Sequence, residues 1–133
     1  MGLFFTNIHW LPVVIMTIFS FVVGFIWHQP FLFGKTWEKE NNPNKDELKK
    51  KAPLIFGVTA LVHLVSLAGL SAFASGSGAV QGLLFGLSIS IVWVLPTMTG
   101  TYLFAGRSIK LLAIDAGMYI VLFSLSGLVF GVW

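Results

Sequence analysis

Long apolar runs alternate along this chain with short polar stretches, and the runs have the length of a bilayer. The hydrophobic pattern predicts spans at about 9–28, 54–74, 80–104 and 111–133. Each comes near or exceeds the ~20 residues that an α-helix needs to cross ~30 Å of hydrocarbon. A backbone in lipid must satisfy its own N–H and C=O groups, and the ~10-residue alternation of a membrane barrel is absent. The expected fold is therefore all-α: a single polytopic membrane domain over residues 1–133, with four antiparallel transmembrane helices. The opening MGLFFTNIHW has no Lys or Arg, and no small-residue cleavage site follows it. The first run accordingly reads as a retained span rather than a signal peptide.

The polar stretches are unequal. Residues 34–51 form the only hydrophilic segment of any length, with Lys35, Lys39, Lys45, Lys49, Lys50 and Lys51 beside Glu38, Glu40, Asp46 and Glu47. Asn44 followed three residues later by Glu47 resembles a helix start. A short helix from about Lys45 is expected to lead towards the second span and to bend or end near Pro53. The second connection, Ser75-Gly76-Ser77-Gly78, is a tight uncharged turn, and the third contains Arg107 and Lys110.

All eight Lys and Arg residues thus fall in the first and third connections. The positive-inside rule places both in the cytoplasm, segment 34–51 included, and both termini outside. Trp10 and Trp133 then fall at the outer boundary and Trp27 and Trp37 near the inner one, where interfacial belts favour such rings.

Composition agrees: 56% of residues are hydrophobic and 10% charged, with mean hydropathy +0.89, against about 25% charged in soluble domains. The net charge of +3 is carried by residues flanking spans, so it points to the lipid bilayer and away from nucleic acid. The absence of cysteine excludes disulfides, thiolate metal sites and thiol catalysis.

Small residues mark where membrane helices approach closely. Gly78, Gly82, Gly86 and Ser90 recur every four residues in the third span, and Trp93, Thr97 and Thr101 continue that face. The first span has Ser20, Gly24 and His28; the fourth has Ala113, Gly117, Ser124, Gly127 and Gly131. Packing of one bundle explains these rows; a dedicated dimerisation face is the alternative.

Ionisable groups within spans are costly and therefore informative. Asp115 lies early in the fourth span, with Tyr119, Leu122 and Ser126 at helical spacing. His63 lies mid-span with Thr59 and Ser66 on its face, and His28 ends the first span. His28, Thr101, Arg107 and Asp115 share the cytoplasmic third, so Asp115 is expected to be buried against Arg107, His28 or the 30–37 turn. An anchoring ion pair and a binding or proton-handling site both fit. Pro96 frees the Val92 carbonyl, and Thr97 and Thr99 are expected to bond the local backbone. No close-spaced metal-ligand pair, phosphate loop, dinucleotide fingerprint or nucleophile elbow is present, so no metal or cofactor is expected.

Two stretches resemble a known family. Residues 24–37, GFIWHQPFLFGKTW, look like the G-x-x-W-[YH]-x-P-x-x-F-G-x-x-W signature of small bacterial membrane proteins grouped as domain of unknown function 1761. The segment from Thr99 through Arg107, Asp115 and Gly117 to the final Gly131-Val-Trp133 looks like that family's closing pattern. The resemblance covers essentially the whole chain and implies a four-helix, multi-pass protein of the bacterial inner membrane. After Trp27, where the family often has Tyr, stands His28. Physically, Pro30 should end the first span, Gly34 should permit a sharp turn, and Phe31, Phe33 and Trp37 should lie at the inner interface beside Arg107 and Asp115.

Three function classes remain. One is a small translocator or channel, expected to be a homo-oligomer because four short helices leave little room for a pore, with Asp115, His28 and His63 along its path. The second is a non-catalytic scaffold or accessory subunit that binds an unidentified membrane partner. The third, an intramembrane enzyme, is disfavoured for want of a paired catalytic constellation. Binding or translocation of a small ligand or ion is the favoured expectation.

Overall fold

In the computed structural model, which describes residues 2–133, the described residues form helices and short connections with no strand. The helices are α1 (Gly2–Thr6), α2 (Trp10–Trp27), α3 (Gly34–Asn41), α4 (Lys45–Ala74), α5 (Ala79–Ile89), α6 (Leu95–Phe104) and α7 (Ile109–Val132). A π-helical turn, Ser90–Val94, joins α5 to α6 into one rod. Four pieces are long and apolar enough to cross a membrane: α2, α4, the rod Ala79–Phe104, and α7.

The expected helix starts appear where polar caps stand. Asn44 accepts the Glu47 backbone N–H at 3.2 Å, and Ser108 accepts that of Leu111 at 3.1 Å, in each case satisfying an amide that has no partner within the helix. Residues 34–41 of the basic segment form α3, and the helix expected from Lys45 does not end at Pro53 but continues as α4 to Ala74. Pro53 lies within that helix near its polar end and removes one ladder bond, to the Lys49 carbonyl, and the remaining turns carry the helix past it. The chain also forms α1, which the sequence pattern did not announce. Asn7 beyond it donates to the Ala72 carbonyl at 2.7 Å, which ties the start of the chain to the end of α4.

The closest packing is between α5 and α7. A Cβ added at Gly82 would overlap the Gly127 carbonyl, and one at Gly86 would overlap the Phe123 carbonyl. Gly78, Gly82 and Gly86 meet Gly131, Gly127 and Phe123 in reverse order, so two glycine rows bring backbones into contact. Gly24 is looser: the nearest atom to its would-be Cβ is the Met118 sulfur at 3.9 Å. Leu67, Leu70, Val13 and Phe130 are fully enclosed in the neighbouring core.

The π turn changes which face of the rod points inward. The Leu95 N–H bonds the Ser90 carbonyl, five residues back. That surplus residue shifts the downstream face by one position, about 100°. Trp93, Thr97 and Thr101, expected to continue the Gly82/Gly86/Ser90 face, are exposed instead, Trp93 at 63%. Val94, Met98 and Tyr102 take the inward positions, and Tyr102 is buried.

Candidate functional site

Asp115 receives two hydrogen bonds from two different elements. The Trp37 indole N–H of α3 donates to Oδ1 at 3.0 Å, and the Tyr102 hydroxyl of α6 donates to Oδ2. The expectation of a partner in the 30–37 turn region is met by Trp37. Arg107 and His28 are not partners. Arg107 donates to Asn41 at 2.6 Å and lies 4.6 Å above the Tyr102 ring, while His28 Nδ1 bonds the Gly24 carbonyl at 2.7 Å. Both are held elsewhere, Arg107 by Asn41 and the Tyr102 ring and His28 by its own helix. Thr101 turns its hydroxyl onto its own helix, donating to the Thr97 carbonyl at 3.1 Å. Tyr102 was missed by the sequence reading because the π turn moves it into the place expected for Thr101.

The 24–37 motif builds the seat for this cluster. Helix α2 ends at Trp27, and Pro30 lies in the turn that follows. Gly34 is buried, and a Cβ there would overlap the His28 carbonyl, so glycine lets α3 fold back against the end of α2. The Trp27 indole donates to the Ile114 carbonyl at 2.9 Å, and its ring lies 3.2 Å from the place of a Gly117 Cβ. Phe33 packs on Trp27 at 4.7 Å between ring centroids, and His28 meets Trp37 edge-on at 5.0 Å. Trp27 and Trp37, expected as interfacial anchors, therefore spend their N–H groups inside the protein, each on an acceptor in α7.

The threonines near Pro96 bond the local backbone: Thr97 donates to the Trp93 carbonyl at 2.6 Å and Thr99 to the Leu95 carbonyl at 2.7 Å.

His63 occupies a second polar centre, away from Asp115. Its Nδ1 lies 2.8 Å from Ser20 Oγ, which in turn lies 2.6 Å from the Thr17 carbonyl. A carbonyl can only accept, so the 2.6 Å contact favours the Ser20 proton on Thr17, and in that arrangement His63 donates through Nδ1. The ring also sits 6.0 Å from Tyr119, perpendicular to it. This wiring runs opposite to a nucleophile–base pair, in which the imidazole would accept the serine proton.

Two clefts meet at His63 and Tyr119. One, of about 510 Å³, lies between α2, α4 and α7 and reaches from His28 past Thr59 to Ser20, His63 and Tyr119. The other, of about 480 Å³, lies beyond the same two rings and includes Ser66, Trp93 and Thr97. A third, of about 800 Å³, opens among Asn41, Asn44, Glu47 and Lys51 and shares His28, Ile55 and Phe56 with the first. The polar groups expected along a path are thus split. His28, His63 and Tyr119 line clefts, and Asp115 lines none of these three; it fastens helices instead. Among the described residues, no cluster of three His, Cys, Asp or Glu could hold a metal ion.

The model of a family described as a protein of unknown function, DUF1761, matches residues 11–131. No curated protein and no solved structure matches the chain.

Proposed function

The chain belongs to the DUF1761 family, and for this member we propose that it binds a small, mostly apolar ligand within the membrane. The site is the cleft between α2, α4 and α7. The observation that carries this reading is a cleft of about 510 Å³ with apolar walls and a few polar groups, His63, Tyr119, Thr59 and Ser20, at its deep end. Ligand sites have this size and make-up. A bare inorganic ion fits poorly, since it would exchange its hydration for very few fixed dipoles. Entry from the basic end is natural, because the mouth cleft shares three lining residues with the binding cleft.

The orientation adopted here puts that mouth in the cytoplasm of a bacterial inner membrane, with four antiparallel spans and both termini outside, on the strength of the basic-residue asymmetry. A second reading, passage across the membrane, rests on the two clefts that share His63 and Tyr119 as a common wall. Passage is where a homo-oligomer would enter. The accessory-subunit reading, which needs the polar face of the fourth span for a partner, draws less support, because Leu122 and Ser126 are buried and Asp115 is held by Trp37 and Tyr102.

The test is thermal stabilisation of purified protein by decyl methyl ether, a probe with an apolar chain and no donor. Saturable stabilisation is expected through binding to the folded state, and it should vanish when Gly24→Trp or Thr59→Phe fills the cleft. An absent effect in the wild type, or an equal effect in both blocked variants, refutes the reading.

A further inference from the structure

We infer that the ligand of the α2–α4–α7 cleft carries a hydrogen-bond donor, a neutral hydroxyl or N–H on an apolar body, which it presents to His63 Nε2. This rests on the cleft reading above and adds the chemistry of recognition.

The inference follows from how the histidine is wired. The 2.6 Å contact with Thr17 favours the Ser20 proton there, which leaves Ser20 to accept from His63 Nδ1. A neutral imidazole with its proton on Nδ1 has a bare lone pair on Nε2. Among the described residues nothing donates to that nitrogen, although the side chain is only 7% exposed. Nor is it sealed away: the enclosed polar atoms without partners are the hydroxyl oxygens of Ser124 and Ser126. His63 lines both mid-membrane clefts, so its unpaired acceptor faces ligand space rather than packed core. A buried acceptor left unpaired is costly, and a ligand donor would relieve that cost. A ligand with acceptors only, such as an ether or ester, would leave it unrelieved. A cation is disfavoured by the apolar walls.

Ser20 is then a positioning residue. It lines the cleft beside His63 and acts by holding the ring in one tautomer. The buried row of Thr17 and Ser20 on α2 gains a purpose beyond packing, as the element that sets the proton on the far side of the ring from the ligand.

Two measurements test this on the intact protein. In ¹⁵N-histidine NMR of the ligand-free protein, with His63 assigned through His63→Gln, the proton is expected on Nδ1 and the lone pair on Nε2. Decan-1-ol should shift the Nε2 resonance, and decyl methyl ether should not. Decan-1-ol should also bind about fivefold more tightly than the ether, the worth of one net hydrogen bond of about 1 kcal/mol. Ser20→Ala, which lets either ring nitrogen of His63 carry the proton, should erase the preference of alcohol over ether. A proton on Nε2 in the ligand-free protein overturns the inference. So does equal binding of alcohol and ether in the wild type, a result that leaves the apolar cleft standing. Binding of neither probe removes the cleft reading and this inference together.

Discussion

Trp37 donates its indole N–H to Asp115 Oδ1 at 3.0 Å across a sequence separation of 78 residues. With Tyr102 on the other oxygen, this bond fastens α3 and α6 to the same point on α7. A carboxylate at this depth in a span is expensive unless it is paired or solvated. Here two neutral donors hold it, and Arg107 reinforces the site indirectly by covering the Tyr102 ring.

Asp115→Ala should therefore destabilise the protein by about 2–4 kcal/mol, since two donors lose a charged acceptor. Asp115→Asn, which keeps an oxygen for Trp37, should cost less than half as much. Denaturation in mixed detergent micelles measures both. A negligible loss in Asp115→Ala would show that the carboxylate's bonds carry no stability.

Gly86→Leu should cost about 1–3 kcal/mol by overpacking, because its Cβ would overlap the Phe123 backbone. Gly24→Ala is the control, with only the Met118 sulfur at 3.9 Å, and should leave the melting temperature nearly unchanged. The packing account fails if the two variants melt alike.

Deletion of Val92 should be tolerated far better than deletion of Leu84. Val92 lies in the π turn, where one residue is surplus to the helical repeat, and removing it lets an α-turn form with Tyr102 still facing Asp115. Leu84 lies in α5. Its loss rotates one part of the rod against the other by about 100° and turns either the glycine row or Tyr102 away from α7. Yield of folded protein after detergent extraction ranks the two, and the reverse order would disprove the account of the π turn.

In this cysteine-free chain, a single cysteine reports its own side of the membrane. An impermeant thiol reagent on intact cells should label Ser77→Cys and spare Asn44→Cys, because the Lys and Arg residues all flank the opposite side from Ser77. The reverse labelling would invert the orientation and, with it, the side from which the ligand enters.

The sequence alone was enough for the four helices, because transfer of long apolar runs into lipid is a local property of each run. It was also enough to mark Gly82 and Gly86 as a face of close helix contact, since a four-residue repeat of small side chains keeps one face regardless of what packs there, whereas the identity of α7 as the partner came from the packing. The cap at Asn44 was legible for the same local reason. Partners across the fold were another matter. Asp115 was visible as a costly group with Arg107, His28 and the 30–37 turn as candidate partners, and only the packing of α3 against α7 selects Trp37 of that turn. Tyr102 was hidden by the π turn, which puts one extra residue into the helical count and replaces Thr101 with its neighbour. His63 was readable as a polar residue at depth. The direction of its hydrogen bond was not, because that depends on Ser20 lying 2.8 Å away with its own proton already committed to Thr17. Helix positions along the chain follow from short-range physics, whereas proton positions and carboxylate partners follow from which helices the packing brings side by side.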